Sequence, residues 1–255
     1  MVKLARFEYN NKIYEGRVDA EQIHAIKGSF FDHYEVSGKT YRISEVRLLP
    51  PVIPTKIVCV GQNYPGHIEE VGAPVPKEPI IFLKPPSCLI GHEHPIIYGR
   101  DAVRIDYEGE LAIVIKDQMK NVSESEALNY VLGYSCFNDV TERNMVAQNP
   151  FLLSLAKGID SFGPFGPWIV TDLDPNGLML KTYLNGELKQ QDSTQNCVFN
   201  VEQVLSYISR YMTLLAGDIV ITGTPRGIAP MKPGDTVEVA IEGIGTLRNT
   251  VQPAV

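Results

Sequence analysis

The chain has 255 residues, with 23 Lys and Arg against 30 Asp and Glu, a formal net charge of −7. That balance excludes a broad nucleic-acid or anionic-membrane face, because both need clustered positive charge. The four cysteines form no C-x-x-C pair and no apolar run approaches membrane-spanning length, so the sequence reads as a cytoplasmic protein with free thiols.

Residues 1–50 read as a small N-terminal β domain. "LARFEYNNKIYEGRV" alternates over two short strands around Asn10-Asn11, and "HYEVSGKTYRI" repeats the pattern around Ser37-Gly38, a common hairpin dipeptide. Pro50, Pro51 and Pro54 in "LLPPVIPTK" mark a boundary, since proline rings cannot join a central ladder. Over 51–255 strands dominate. "KIVCVG" and "ELAIVIK" read as buried strands, "LMLKTYLNGELKQQ" as a hairpin around Asn185-Gly186, and "DTVEVAIEGIGTLRNTV" as alternating strands turning at glycines. Two helices stand out. One starts at Ser123, with Glu126 completing an S-x-x-E capping box, and one follows Asn200, with Val201, Val204, Leu205, Ile208 and Met212 at helical spacing. Few helices among many strands imply a mixed-β fold rather than alternating βαβ units.

Chemistry-bearing residues gather in a few stretches. Glu108 and Glu110 in "RIDYEGELAIVI" point the same way along a strand, about 6.5–7 Å apart. Two like charges so close on a buried surface repel, and a divalent cation relieves them. Asp139 in "YSCFNDVTERN" can supply a third oxygen, and such a carboxylate set suits Mg²⁺ or Mn²⁺ rather than Zn²⁺. A solvent-facing strand start is the alternative reading of the same pair. His67 with Glu69 and Glu70 in "VGQNYPGHIEE" is either an acid/base pair or a polar loop. Lys157, before a Gly- and Pro-rich loop, is either a surface lysine or an anion-binding cation. "ITGTPRG" lacks the lysine and spacing of a P-loop, but its Gly223 and Thr224 can offer backbone N–H groups to an anion. His92 and His94 in "GHEHP" read as a solvated turn, and His24 and His33 carry no signal.

Seven segments fall in one order: "GQNYPGH" with an acid three residues past the His, "DYEGELAIVI", "GYSCFNDVTERN", "AKGIDSFGPFGPWIVT", "LNGELKQ", "GDIVITGTPRGI" and "KPGDTVEVAIEGIGTLRN". Together, from Lys56 to Val251, they resemble the fumarylacetoacetate hydrolase family, in its branch of acylpyruvases and 2-hydroxyhepta-2,4-diene-1,7-dioate isomerases. The resemblance implies a core of rolled, mixed β-sheets, with the region 51–255 catalytic, and a homodimer. It implies Mg²⁺ or Mn²⁺ on Glu108, Glu110 and Asp139. His67 and Glu70 match a water-activating pair, with Glu69 the adjacent alternative partner, and Lys157, Gly223, Thr224 and Arg143 stand near the substrate. Glu142 and Asn144 beside Arg143, and Arg226 after "TGTP", depart from the commonest pattern at positions that shape the pocket.

The implied substrate is a small-molecule 2-oxo acid. Its implied reaction is hydrolytic cleavage of a C–C bond in an acylpyruvate, through a metal-held pyruvate enolate, with Lys157 adding positive charge and His67 activating water. Oxaloacetate decarboxylation, which passes through the same enolate, and isomerisation of a 2-hydroxy-dienoate, which needs only proton transfers on the metal-held frame, remain open. A dehydratase of sugar-derived acids and an inactive binding subunit are more remote alternatives.

Overall fold

The computed structural model of the chain describes residues 1–254. In chain order the principal strands are β1 (Lys3–Tyr9), β2 (Lys12–Asp19), β3 (Gln22–Gly28), β4 (Tyr34–Arg42), β5 (Ile57–Gly61), β6 (Ile80–Lys84) and β7 (Gly109–Ile115). There follow β8 (Val131–Asn138), β9 (Gly163–Val170), β10 (Met179–Leu184), β11 (Glu187–Ser193), β12 (Ile219–Ile221), β13 (Thr236–Ile241) and β14 (Gly245–Pro253). The α-helices are α1 (Pro65–Glu70), α2 (Arg143–Gln148), α3 (Leu153–Lys157) and α4 (Val201–Tyr211).

Ten of these strands form one path of a twelve-stranded sheet, in the order β4-β3-β2-β1-β9-β8-β7-β12-β5-β6. Neighbours along it are antiparallel except β12 and β5, which run parallel. The N-terminal strands are part of this sheet, because β1 pairs with β9 through Lys3 and Leu4. A second, five-stranded sheet carries β11-β10-β13-β14 and ends on a short strand at Ile96–Tyr98. The result is the mixed, sheet-dominated architecture with few helices that the strand pattern implies.

Alternation along the central strand β7 feeds two cores. Leu111, Ile113 and Ile115 pack with α4 and with Leu180, Val239 and Ile241 of the second sheet. Ala112 and Val114 pack on the other side with Phe137, Phe165 and Ile219. Every residue of β7 is buried, and each Leu or Ile so placed contributes roughly 1.5–3 kcal/mol.

Helix α4 forms where its spacing places it. The Asn200 side chain accepts from the Gln203 N–H while Gln203 accepts from the Asn200 N–H, a reciprocal capping box. Val201, Val204, Leu205 and Ile208 line its buried face. The helix expected at Ser123 is instead a 3₁₀ segment, Glu124–Tyr130, and its capping box does not form. The Ser123 hydroxyl donates to the Glu126 carboxylate (2.6 Å), so neither side chain caps the backbone. Tyr130, at its end, accepts from the Lys116 N–H (2.7 Å) and feeds directly into β8, which leaves no room for a further turn.

The hairpins at Asn10-Asn11 and Asn185-Gly186 turn through positive φ at both residues, as this turn type requires. Ser37-Gly38 does not turn the chain. Gly38 (φ 79°) sits inside β4, where the register jumps from His24↔Thr40 to Ile26↔Val36. Its left-handed backbone makes a bulge that absorbs the extra residues against β3.

Candidate active site

The apolar face formed by Ala112 and Val114 continues into charge. Glu110 shares their parity in β7, and Glu108 precedes the strand by one residue. Asp139 follows Phe137 by two at the end of β8, and Lys84 follows Phe82 by two at the end of β6. Three strands of one sheet, β7, its neighbour β8 and the edge strand β6, therefore deliver three carboxylates and a lysine to one buried spot.

Glu108, Glu110 and Asp139 are 4, 2 and 1% exposed, and one oxygen from each lies within 4.8 Å of the others. Three cations surround them. Lys157, the last residue of α3, donates to Glu108 Oε2 (2.6 Å) and Asp139 Oδ2 (2.5 Å). Lys84 donates to Asp139 Oδ1 (2.7 Å) and to the Phe162 carbonyl (2.9 Å). Arg143 pairs with Glu108 and reaches Asp106 Oδ2 (3.1 Å), which Arg104 also holds through two 2.9 Å bonds.

These neighbours set the carboxyls apart. Burial works to raise Glu108, but the charges of Arg143 and Lys157 outweigh it and hold its pKa at about 2. Burial and the charges of Asp139 and Glu108 push Glu110 well above the ordinary carboxylate range. Glu110 accepts from the Gly223 N–H (2.7 Å), and among the described residues no lysine or arginine pairs with it directly. Burial opposes the charge on Lys157, yet Asp139 and Glu108 raise its pKa above the usual lysine value. The trio thus fits a hard divalent cation, with oxygen-only donors, close spacing and one carboxyl, Glu110, that no lysine or arginine among the described residues pairs.

His67 and Glu70 lie on α1, whose Pro65 takes the first helical position, where a missing N–H does no harm. His67 Nδ1 meets Glu70 Oε2 at 3.1 Å, and Glu70 Oε1 accepts from the Gly227 N–H (2.9 Å). Glu69 points away, 79% exposed and 3.9 Å from Arg226, so Glu70 is the partner the structure gives His67. A cavity of about 270 Å³ brings His67, the three carboxylates, Arg143, Lys157, Gly223 and Thr224 to one surface, with Phe82 and Leu153 on its apolar side.

Thr224 reaches that cavity with its hydroxyl already engaged, donating to the Gly109 carbonyl (2.9 Å) and accepting from Gln190 (2.8 Å). Of the departures from the family pattern, Glu142 caps α2 through the Met145 N–H (2.5 Å) and accepts from the Val103 and Arg104 N–H groups (both 3.2 Å). Arg226 lies along Gly66 of α1. Neither residue, nor Asn144, lines the cavity. His92 accepts the Arg248 N–H (3.1 Å) in the turn at 91–94, and among the described residues no histidine joins a metal-competent cluster.

Lys84, Asp106 and Gln190 escape sequence reasoning. Each is fully buried and bonded to the site or its support, yet in the sequence each reads as an ordinary polar residue of a strand end or hairpin. The usable signal is period-two alternation, which places Lys84 on the Phe82 face.

Residues 56–252 match the fumarylacetoacetate (FAA) hydrolase C-terminal family, and residues 2–51 match the Rv2993c-like N-terminal family. The chain belongs to the fumarylacetoacetate hydrolase family. A 2-hydroxyhepta-2,4-diene-1,7-dioate isomerase from Mycobacterium marinum is 38% identical, with a TM-score of 0.92 over 99% of both chains. The mitochondrial oxaloacetate tautomerase FAHD2B of Bos taurus is 39% identical over 82% of this chain and 70% of its own. A maleylpyruvate hydrolase from Sphingobium sp. SYK-6, solved with manganese(II) and pyruvate, is 27% identical, with a TM-score of 0.83 over 99% of this chain and 100% of that one. Relatives of this chain thus include an isomerase, a tautomerase and a hydrolase, which makes the family one of enzymes.

Proposed function

We propose that this protein hydrolyses a C–C bond in a small acylpyruvate-type 2-oxo acid, with the help of Mg²⁺ or Mn²⁺. The observation that carries the reading is the meeting of the His67–Glu70 pair with the carboxylate trio around one cavity. Glu108, Glu110 and Asp139 would hold the ion, which when bound supplies a Lewis acid for the 2-oxo group. The maleylpyruvate hydrolase solved with manganese(II) and pyruvate supports that choice of ion and of a 2-oxo acid.

The chain's own groups do the rest. Glu70 engages His67 Nδ1, which leaves Nε2 to take a proton from water as that water attacks the distal carbonyl. As the C–C bond breaks, the electron pair passes to the pyruvate half as its enolate. Lys157 places a fixed positive charge beside that oxyanion. The Arg143 guanidinium suits a substrate carboxylate. Protonation of the enolate carbon by His67 releases pyruvate and restores the neutral ring.

Tautomerisation of oxaloacetate is the second reading. It is favoured by the tautomerase relative, whose identity (39%) exceeds that of the hydrolase (27%), and it needs the proton transfers without the attacking water. The test pairs two assays on Mn²⁺-saturated protein, acetylpyruvate hydrolysis and enol-oxaloacetate ketonisation. The hydrolytic reading expects turnover of acetylpyruvate and a fall of about 10²–10⁴ in His67→Ala. Rapid ketonisation with no acetylpyruvate cleavage would replace it by the second reading.

A further inference from the structure

Gln190 lies outside the cavity, on β11, and is 1% exposed. It belongs to the "LNGELKQ" stretch, to which the chemistry above assigns no task. Its carboxamide is fully committed. Oε1 accepts from the Gly109 N–H (3.0 Å), and Nε2 donates to Thr224 Oγ1 (2.8 Å) and the Pro225 carbonyl (2.7 Å). Thr224 closes the loop by donating to the Gly109 carbonyl (2.9 Å).

Gly109 is the residue between Glu108 and Glu110. Gln190 and Thr224 therefore hold both of its backbone groups, one in each peptide that joins it to a carboxylate residue. The other side of the same segment is held too, by the Glu108 N–H to Asn138 Oδ1 (2.9 Å) and the Asp139 N–H to the Glu108 carbonyl (2.8 Å). Gln190 also fixes the loop whose Gly223 N–H binds Glu110 Oε2. The second sheet approaches so closely here that a Cβ on Gly109 would lie 2.1 Å from Thr182 Oγ1.

We infer that Gln190 is a positioning residue, which sets the separation and aim of the Glu108 and Glu110 carboxylates from the five-stranded sheet. The Asn185-Gly186 turn and the Thr182↔Gln190 pairing aim it. A one-residue slip would turn the side chain to the opposite face. A backbone so clamped cannot relax to spread two like charges, so the pair stays at a spacing that favours a divalent ion. The inference rests on the metal reading proposed above. Outer-shell partners of metal ligands typically matter 10–100-fold in metal affinity.

The test measures Mn²⁺ dissociation constants of the full-length chain by titration calorimetry, together with melting temperatures. Gln190→Met keeps the volume and removes all three bonds. Gln190→Asn keeps the polarity and withdraws the amide by one methylene, and it takes over if the Met variant does not fold. Leu180→Ala, a buried change in the paired strand β10, is the control for stability alone. The expected result is Mn²⁺ affinity weaker by about 10–100-fold in the Gln190 variants, with Leu180→Ala melting lower but binding Mn²⁺ as the wild type does. Unchanged affinity in a folded Gln190 variant, or an equal loss in Leu180→Ala, would overturn the positioning role while leaving the metal reading intact. A wild-type chain that takes up no Mn²⁺ would overturn the metal reading and this inference with it.

Discussion

Glu110 and Lys84 both border Asp139 in one buried cluster, and their removal should have opposite effects. Glu110 is destabilised where it stands, by burial and by the charges of Asp139 and Glu108. Glu110→Gln keeps an acceptor for the Gly223 N–H and deletes the repulsion. The metal-free variant should therefore melt no lower than the wild type, gaining about 2–4 °C per kcal/mol relieved, while Mn²⁺ no longer raises its melting temperature. Calorimetric scans with and without Mn²⁺ check both halves. Lys84, 1% exposed, holds Asp139, so Lys84→Met leaves that buried carboxylate to Lys157 alone and should cost about 1.5–3 kcal/mol in urea unfolding. Asp218 offers a test by pH. Burial works to raise its carboxyl, but the Lys56 and Thr55 side chains and the Leu215 N–H outweigh that and lower it below the ordinary value. A folded pKa below the unfolded one means stability that is present above about pH 4 and lost as pH falls further. Asp218→Asn should flatten that limb of stability against pH, and parallel acid limbs in the two proteins would count against the assignment.

At the scale of elements, what could be read in advance depended on length and on local chemistry. Helix α4 was legible because it spans eleven residues with its own cap and apolar stripe. Asn200→Ala should cost about 1 kcal/mol by removing the cap, a loss that chemical denaturation will show without altering Mn²⁺ uptake. The helix α1 that carries His67 was not legible, since six residues beginning Pro-Gly have no stripe to reveal them. It holds by tertiary bonds, among them the Glu70 carboxylate on the Gly227 N–H. The Ser123 segment shows the converse, a capping sequence whose Ser and Glu bond to each other because the next strand begins at once. Gly38 supplied a genuine conformational signal, a positive φ, that serves equally for a turn or a bulge. Only the partner strand decided between them.

Across the whole molecule, the buried trio ties stability to the ion. Divalent metal bound to the folded chain alone stabilises it by about 2.7 kcal/mol at a hundred times the dissociation constant. Chelator-treated protein should accordingly melt about 5–10 °C lower than protein at that Mn²⁺ level, and differential scanning fluorimetry over a Mn²⁺ series reads the shift. A melting temperature unmoved by Mn²⁺ or Mg²⁺ would sink the proposed site. No helix of the described residues is long and apolar enough to cross a membrane. The homodimer implied by the family resemblance is a further expectation, and light scattering that returns a monomer mass at every concentration would remove it.

By itself the sequence determined the strand-rich class, the family, and the residue types of the site, because alternation, Asn-Gly turns and ordered motifs are local features of the chain. It named Glu108, Glu110, Asp139, His67, Glu70 and Lys157, which the fold gathers around one cavity. Only the tertiary structure decided that Glu70 rather than Glu69 meets His67, that Lys84 and Arg143 share the load of charge, and that Thr224 spends its hydroxyl on the Gly109 carbonyl. It alone brought Gln190, eighty-one positions away in the chain, onto the Gly109 N–H. The physical reason is that hydrogen bonds and charge compensation between distant segments depend on strand register and sheet packing, which no short window of sequence contains.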